Sequence, residues 1–277
     1  MKQSLRRLAL SLLVIACVAG TGVGVDLAAR TALPGAKDPE LHLLLNVAGN
    51  RLDVYERGRR TQSYKVSVGL RGYETPRGEY RIRDIIWNPW WHPPNSAWAR
   101  GRKVEPPGPK NPMGRVKMNF APLLYIHGTP EDQALGGPAS RGCVRMRNED
   151  VIELARLVHR YGSPRLTSSI IERLIRSPSQ TRKVTLARPV PLTALYQVAA
   201  VRDGFLIIYP DIYSRVGRKL RDQVEIVLEQ NGVDPRRVNR KRLERLLEKG
   251  GRTRVVMSLD SLTAIGAGAS APAQGGR

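Results

Sequence analysis

Cysteine, aromatic side chains and acidic charge are all scarce in this chain of 277 residues. The two cysteines, Cys17 and Cys143, exclude a disulfide scaffold and a cysteine-rich zinc site. Aromatics make up 5% and include only two Phe, so a core must be built from Leu, Val and Ile. Asp and Glu number 24 against 46 Lys and Arg, a formal net charge of +22. Long apolar runs are also missing after the first 25 residues, which excludes a polytopic membrane protein. What is present is a globular composition, 41% hydrophobic and 25% charged, which excludes a fully disordered chain. The length allows a sizeable core without disulfide or metal staples.

The one apolar run is N-terminal. Lys2, Arg6 and Arg7 precede Leu8–Val25, which carries no charge. A basic head, a short apolar run and small residues after it make an export signal. The segment 1–30 is therefore expected to direct export to the periplasm or cell envelope. Three fates fit: cleavage after a small residue, lipidation at Cys17 in Val14-Ile15-Ala16-Cys17, or retention of residues 8–25 as a membrane anchor. If Cys17 leaves with the signal or is acylated, Cys143 is the single thiol of the exported part. An unpaired thiol in an oxidising compartment is either buried and inert or kept for its reactivity.

Residues 31–40, with Pro34, Gly35 and Pro39, read as a linker. Strand-type alternation follows over Leu41–Asn46, Arg51–Glu56, Ser63–Gly69, Glu79–Ile86, Arg115–Phe120 and Leu123–His127. Residues 87–112 hold all four tryptophans and read as a long irregular loop, either a binding loop or one packed onto a strand face. Asn148–Tyr161 predicts a helix, with Asn148 at the N-cap, acids in the first turn and Val151, Leu154, Leu157 and Val158 on one face. Short strands at Arg182–Ala187, Ala194–Val201 and Phe205–Tyr209, then helices over Tyr213–Gln230 and Pro235–Lys249, complete the pattern. The expected organisation is mainly β: a catalytic domain over 41–165, an α/β extension over 166–260 made of a strand pair and two helices, and a disordered tail over 261–277.

The chemistry concentrates in Tyr125-Ile126-His127-Gly128-Thr129 and Ser140-Arg141-Gly142-Cys143-Val144-Arg145-Met146. A thiolate nucleophile needs a base within hydrogen-bond reach and a positive setting. His127 stands 16 residues upstream of Cys143, and a glycine-containing loop can fold one onto the other. Arg141, Arg145 and Arg147 surround the sulfur in sequence. Gly142 permits close backbone approach, and amides near Cys143 form a candidate oxyanion hole. From spacing alone, a buried cysteine, a structural histidine and solvated arginines fit as well.

His127-Gly128-Thr129 with Ser140-Arg141-Gly142-Cys143-Val144-Arg145-Met146 resembles the signature of the L,D-transpeptidase (YkuD-type) catalytic domain. Val68-Gly69 with Thr75-Pro76-Arg77-Gly78, and Asn111-Pro112-Met113-Gly114, look like further family segments. Pro189–Tyr213 looks like the downstream strand pair of the exported ErfK/YbiS-like subgroup. Arg141 departs from the pattern, which more often has His there. The resemblance implies a β-sandwich catalytic domain and peptidoglycan acyl transfer, with Cys143 as nucleophile and His127 as base. Gly142, Arg141, Ser140, Arg145 and Gly128 would form the oxyanion and substrate-binding set. It implies no cofactor and no metal. The donor would be a tetrapeptide stem of peptidoglycan, and the acceptor an amine of another stem, a lysine of an outer-membrane lipoprotein, or water in an L,D-carboxypeptidase.

Two readings compete. A non-catalytic wall-binding module would need only the groove. Nucleic-acid binding would use the nine Lys and Arg of residues 235–254. Leu243, Leu246 and Leu247 give that stretch a core-facing side, and an exported protein meets little nucleic acid. An anionic wall or membrane surface suits the basic regions better, and no nucleic-acid partner is expected.

Overall fold

The structure, a computed structural model, describes residues 39–263. The export segment, Cys17, most of the 31–40 linker and residues 264–277 of the expected tail lie outside the described residues.

Alternating apolar residues build the first strands, β1 (Leu41–Asn46) and β2 (Arg51–Glu56), with the boundaries the sequence predicts. Asn50, at φ 47°, closes the turn between them. There follow β3 (Arg59–Lys65), β4 (Val68–Gly69), β5 (Gly78–Trp87), β6 (Val116–Ala121), β7 (Leu124–Thr129), β8 (Pro138–Ser140) and β9 (Val144–Arg147). Helices α1 (Asn148–Gly162) and α2 (Ser168–Arg176) precede the long strand β10 (Arg182–Leu195). Eight of these strands form one sheet in the order β3-β2-β1-β10-β5-β6-β7-β9.

That sheet bends until its ends meet. The chain leaving the edge strand β3 reaches the opposite edge at β9, where Ser67 and Arg145 exchange both backbone hydrogen bonds (3.0 and 2.9 Å). The parallel pair β4–β8 extends this seam. The expected mainly β catalytic domain is thus a single sheet wrapped around its core. Leu43, Leu45, Leu52, Ile82, Ile85, Met118, Ile126, Val144 and Met146 fill it, and α1 covers it with Val151, Leu154 and Val158. As the composition requires, the packing is mostly aliphatic.

Two boundaries need correction. The expected break at 165/166 would cut off β10, which lies between β1 (parallel) and β5 (antiparallel) in the middle of the sheet. The extension starts only after Leu195. It consists of β11 (Ala199–Arg202), β12 (Phe205–Ile208) and β13 (Val255–Ser258) in a three-stranded sheet, with α3 (Leu220–Gln230), α4 (Arg240–Gly250) and α5 (Leu259–Thr263). The tail was also placed too early, because Leu262 on α5 is fully buried in the extension's core. In α4, Leu243 and Leu246 face that core while Arg240, Lys241, Arg245 and Lys249 are exposed.

Candidate active site

Strand alternation sets the site. On β6, Val116, Met118 and Phe120 are buried in the core; on β9, Val144 and Met146 are. Lys117 and Arg145 therefore lie on the opposite face. Register brings them to one place: Lys117 is the cross-strand partner of His127 on β7, and His127 is the partner of Arg145 on β9. Cys143 stands immediately before β9, beside Tyr125 on β7, so the sheet brings His127 and Cys143 onto neighbouring strands.

His127 is buried, 2% exposed. Its Nδ1 lies 2.6 Å from the Gly128 carbonyl oxygen. A carbonyl only accepts, so Nδ1 carries the hydrogen and Nε2 keeps its lone pair. Burial, with the charges of Arg145 and Lys117, pushes the pKa of His127 down to about 4, against the pull of the Gly128 bond. The ring is thus a neutral imidazole at physiological pH, ready to accept a proton. The Cys143 thiol is half-buried and donates to the Leu123 carbonyl at 3.6 Å. Burial pushes its pKa up, while the Tyr125 backbone amide and the charges of Arg145 and Lys117 pull it down.

The turn before Cys143 is braced from inside. Ser140 Oγ donates to the Cys143 carbonyl (2.5 Å) and accepts from the Gly142 amide (3.1 Å). Gly142 sits at φ 106°, a conformation that favours glycine. Its carbonyl accepts from Thr75 Oγ1 (2.9 Å), which itself accepts from the Gly69 amide (2.9 Å). Tyr213 Oη, from the segment leading into the extension, donates to the Gly69 carbonyl (2.7 Å) and accepts from the Thr75 amide (3.3 Å). The Thr-Pro-x-Gly turn and the downstream tyrosine thus support the loop that carries the thiol.

The residue pattern and the geometry agree with a comparison of sequences. The YkuD family model, the L,D-transpeptidase catalytic domain, matches residues 40–186, more than half of the chain. This chain belongs to that family. YkuD of Bacillus licheniformis is 32% identical over 130 residues, covering 46% of this chain and 67% of that protein. YbiS of Escherichia coli K12 is 33% identical over 118 residues, 39% of each chain. ErfK/SrfK of the same organism is 32% identical over 118 residues and is matched over 38% of its length. All three carry L,D-transpeptidase names, and the chain spans well under half of the two E. coli relatives. Among solved structures, the catalytic domain of the Enterococcus faecium L,D-transpeptidase aligns at TM-score 0.37 and 13% identity, covering 58% of this chain and 99% of that one.

Within this L,D-transpeptidase domain, several of the expected substrate-binding residues also make contacts that shape the fold around Cys143. The Gly142 amide, expected in the oxyanion hole, is engaged by Ser140, so both residues shape the turn. Gly128 is buried and leaves room for the Asn148 side chain, as a Cβ there would meet Asn148 Oδ1 at 2.3 Å. Asn148 is not the N-cap, which is Arg147. Its amide instead accepts from the Arg115 backbone (2.8 Å) and donates to the Thr129 carbonyl (3.2 Å). Arg145 is the register partner of His127, with Nη1 paired to Glu131 at 3.2 Å.

Arg141 is exposed and packs on aromatic rings. Its guanidinium carbon lies 4.2 Å from the Trp98 ring centroid and 5.6 Å from that of Tyr73, a cation–π bracket. Trp98 belongs to the irregular segment 88–115, whose turns Asn111 holds through the Pro89, Glu105 and Pro106 carbonyls. The arginine that departs from the family pattern thus ties this loop to the turn that carries Cys143. With such contacts worth about 0.5–2 kcal/mol, Arg141→Ala should speed proteolysis within 88–115 several-fold. Unchanged cleavage kinetics would show that the bracket holds nothing.

Sequence reasoning missed Lys117, Thr75 and Tyr213 as members of the site. Lys117 does show as the polar step in Val116-Lys117-Met118, but its partnership with His127 needs the register.

Proposed function

We propose that this chain is a peptidoglycan L,D-transpeptidase that works through a Cys143 thioester. The observation that carries the reading is the neutral His127, its Nδ1–H fixed on Gly128, on the strand that pairs with β9, which Cys143 of the family's motif leads into. Cys143 Sγ attacks the carbonyl carbon of the third residue of a tetrapeptide stem, a diamino acid joined through its L centre to a terminal D-Ala. As the S–C bond forms, the thiol proton passes to His127 Nε2. The tetrahedral oxyanion faces the Cys143 amide, the donor left to this role by the engagement of Gly142. Collapse breaks the C–N bond, and His127 returns the proton to the D-Ala amine. The thioester then acylates an amine: that of another stem gives a 3→3 crosslink, and a lysine of an outer-membrane lipoprotein gives protein anchoring. Water as acceptor would make the enzyme an L,D-carboxypeptidase. Arg145 would take up a stem carboxylate by exchanging Glu131 for it. Export to the periplasm or envelope fits the N-terminal segment, and the exposed cations of α4 would adhere to an anionic wall or membrane surface.

Incubation of the protein with disaccharide tetrapeptide should add the mass of the donor less D-Ala, seen by intact-mass spectrometry. The same adduct on Cys143→Ala would overturn the assignment.

A further inference from the structure

Lys117 is the feature of the site that the proposed reaction does not yet use. It is half-buried on β6, and its Nζ lies 4.8 Å from the centre of the Tyr125 ring. Among the described residues no carboxylate pairs with it. The acids around this face are engaged elsewhere: Glu131 with Arg145 (3.2 Å), and Asp84 on β5 with Lys183 (3.3 Å) and Thr185 (2.7 Å). The register partner of Lys117 on β5 is the apolar Ile86. From β7 it meets Tyr125 and His127, and Cys143 stands beyond Tyr125, in register with it before β9. An ammonium withdrawn from water without a partner is costly, and such groups concentrate where their charge is used. Two negative charges arise in the reaction, on Cys143 Sγ and on the tetrahedral oxyanion, and the first belongs to the residue in register with Tyr125, whose ring holds the ammonium.

We propose that Lys117 is the counter-charge of the nucleophile, stabilising the negative charge that gathers on Cys143 Sγ as its proton passes to His127 Nε2. Lys117 and Cys143 each favour the other's charged form, and the same cation disfavours a proton on His127. Two effects follow from one residue. The charge on Sγ is stabilised, and the same cation, which opposes the imidazolium in the forward transfer, makes the protonated His127 a stronger acid toward the leaving amine. Lys117 acts through Cys143 and His127, so it is a positioning residue of an electrostatic kind. The inference rests on Cys143 being the nucleophile, and its test needs no peptidoglycan.

The test is the pH profile of iodoacetamide alkylation of the full chain, read at the Cys143 peptide by mass spectrometry so that Cys17 does not contribute. Wild type should rise in one step. Lys117→Met, which keeps the apolar stem, should move that step up by about one pH unit and slow alkylation about tenfold below it. Lys117→Arg should restore the wild-type step. A folded Lys117→Met protein with the wild-type profile would overturn the proposal, and so would an equal shift in Lys117→Arg. If the Met variant does not melt cooperatively, Lys117→Gln is read in its place against the same criteria. Loss of the peptidoglycan adduct with a retained alkylation shift would strike the transpeptidase reading alone.

Discussion

His127→Ala should lower the rate of Cys143 acylation by about 10²–10⁴-fold, the usual worth of a positioned general base, without unfolding the domain. The side chain leaves a buried site, but its one hydrogen bond goes to a neighbouring carbonyl at 2.6 Å and braces no other element. The pH profile sharpens the expectation. With the imidazole pushed down to about 4, the base stays unprotonated above that pH. The acid limb of kcat/KM should therefore lie near pH 4 and not near 6.5, the ordinary histidine value. An acid limb at 6.5, or acylation by the Ala variant at the wild-type rate, would remove His127 from its role. Rate measurements with disaccharide tetrapeptide from pH 3.5 to 9 give both readouts.

Much of this site was legible before the fold. The candidate nucleophile Cys143, the candidate base His127 and a glycine between two motif arms are local features, and the β1–β2 hairpin follows from alternation and one turn. Relations across the sheet were not legible. The central place of β10 was hidden because the strand changes register between Thr185 and Val190, and Pro189 falls within that irregularity. The broken alternation reads as a short strand at Arg182–Ala187 with loop after it. The pairing of Lys117 with His127 depends on a hairpin register that the sequence leaves open by one residue, and one residue reverses every face. Arg141 is an expected substrate contact through the family pattern, standing two residues before Cys143 where that pattern more often has His. Gly142 at φ 106° turns the chain between them, and the guanidinium ends on Trp98.

The same long-range blindness hid a buried ion pair between sheet and extension, and it carries the largest expected stability effect. Asp53 on β2 is fully buried. Arg202, at the end of β11, grips both its carboxylate oxygens, one at 3.1 Å, and Arg51 Nε lies 3.0 Å away, with Ser63 donating as well. Burial alone would raise this carboxyl's pKa, but the bonds to Arg202 and Ser63 and the nearby charges hold it below its ordinary value. Asp53→Ala leaves the Arg202 guanidinium in a nearly buried site without this carboxylate. Breaking such a pair costs about 3–5 kcal/mol, and for a domain of this size Tm should fall on the order of 10 °C. Replacing both partners, as in Asp53→Leu with Arg202→Met, should recover part of that loss, because well-packed apolar pairs replace buried ion pairs at little cost. The pH dependence separates this tie from the buried histidines. A carboxyl held low in the fold stabilises above its unfolded pKa, and that contribution fades as pH falls through the lower folded value. His127 and His159 are both pushed to about 4, chiefly by burial, and His159 accepts from Trp87 Nε1 at 2.9 Å. A histidine depressed in this way stabilises fully above about 6.5 and loses the contribution between 6.5 and 4, on the order of 3 kcal/mol for each. Thermal melts of the wild type should therefore weaken first across pH 6.5–4 and again at more acid pH. In Asp53→Ala the second loss should be reduced and the first unchanged. If the first loss were the one to shrink, the carboxylate would not be the acid-stable tie between the two parts.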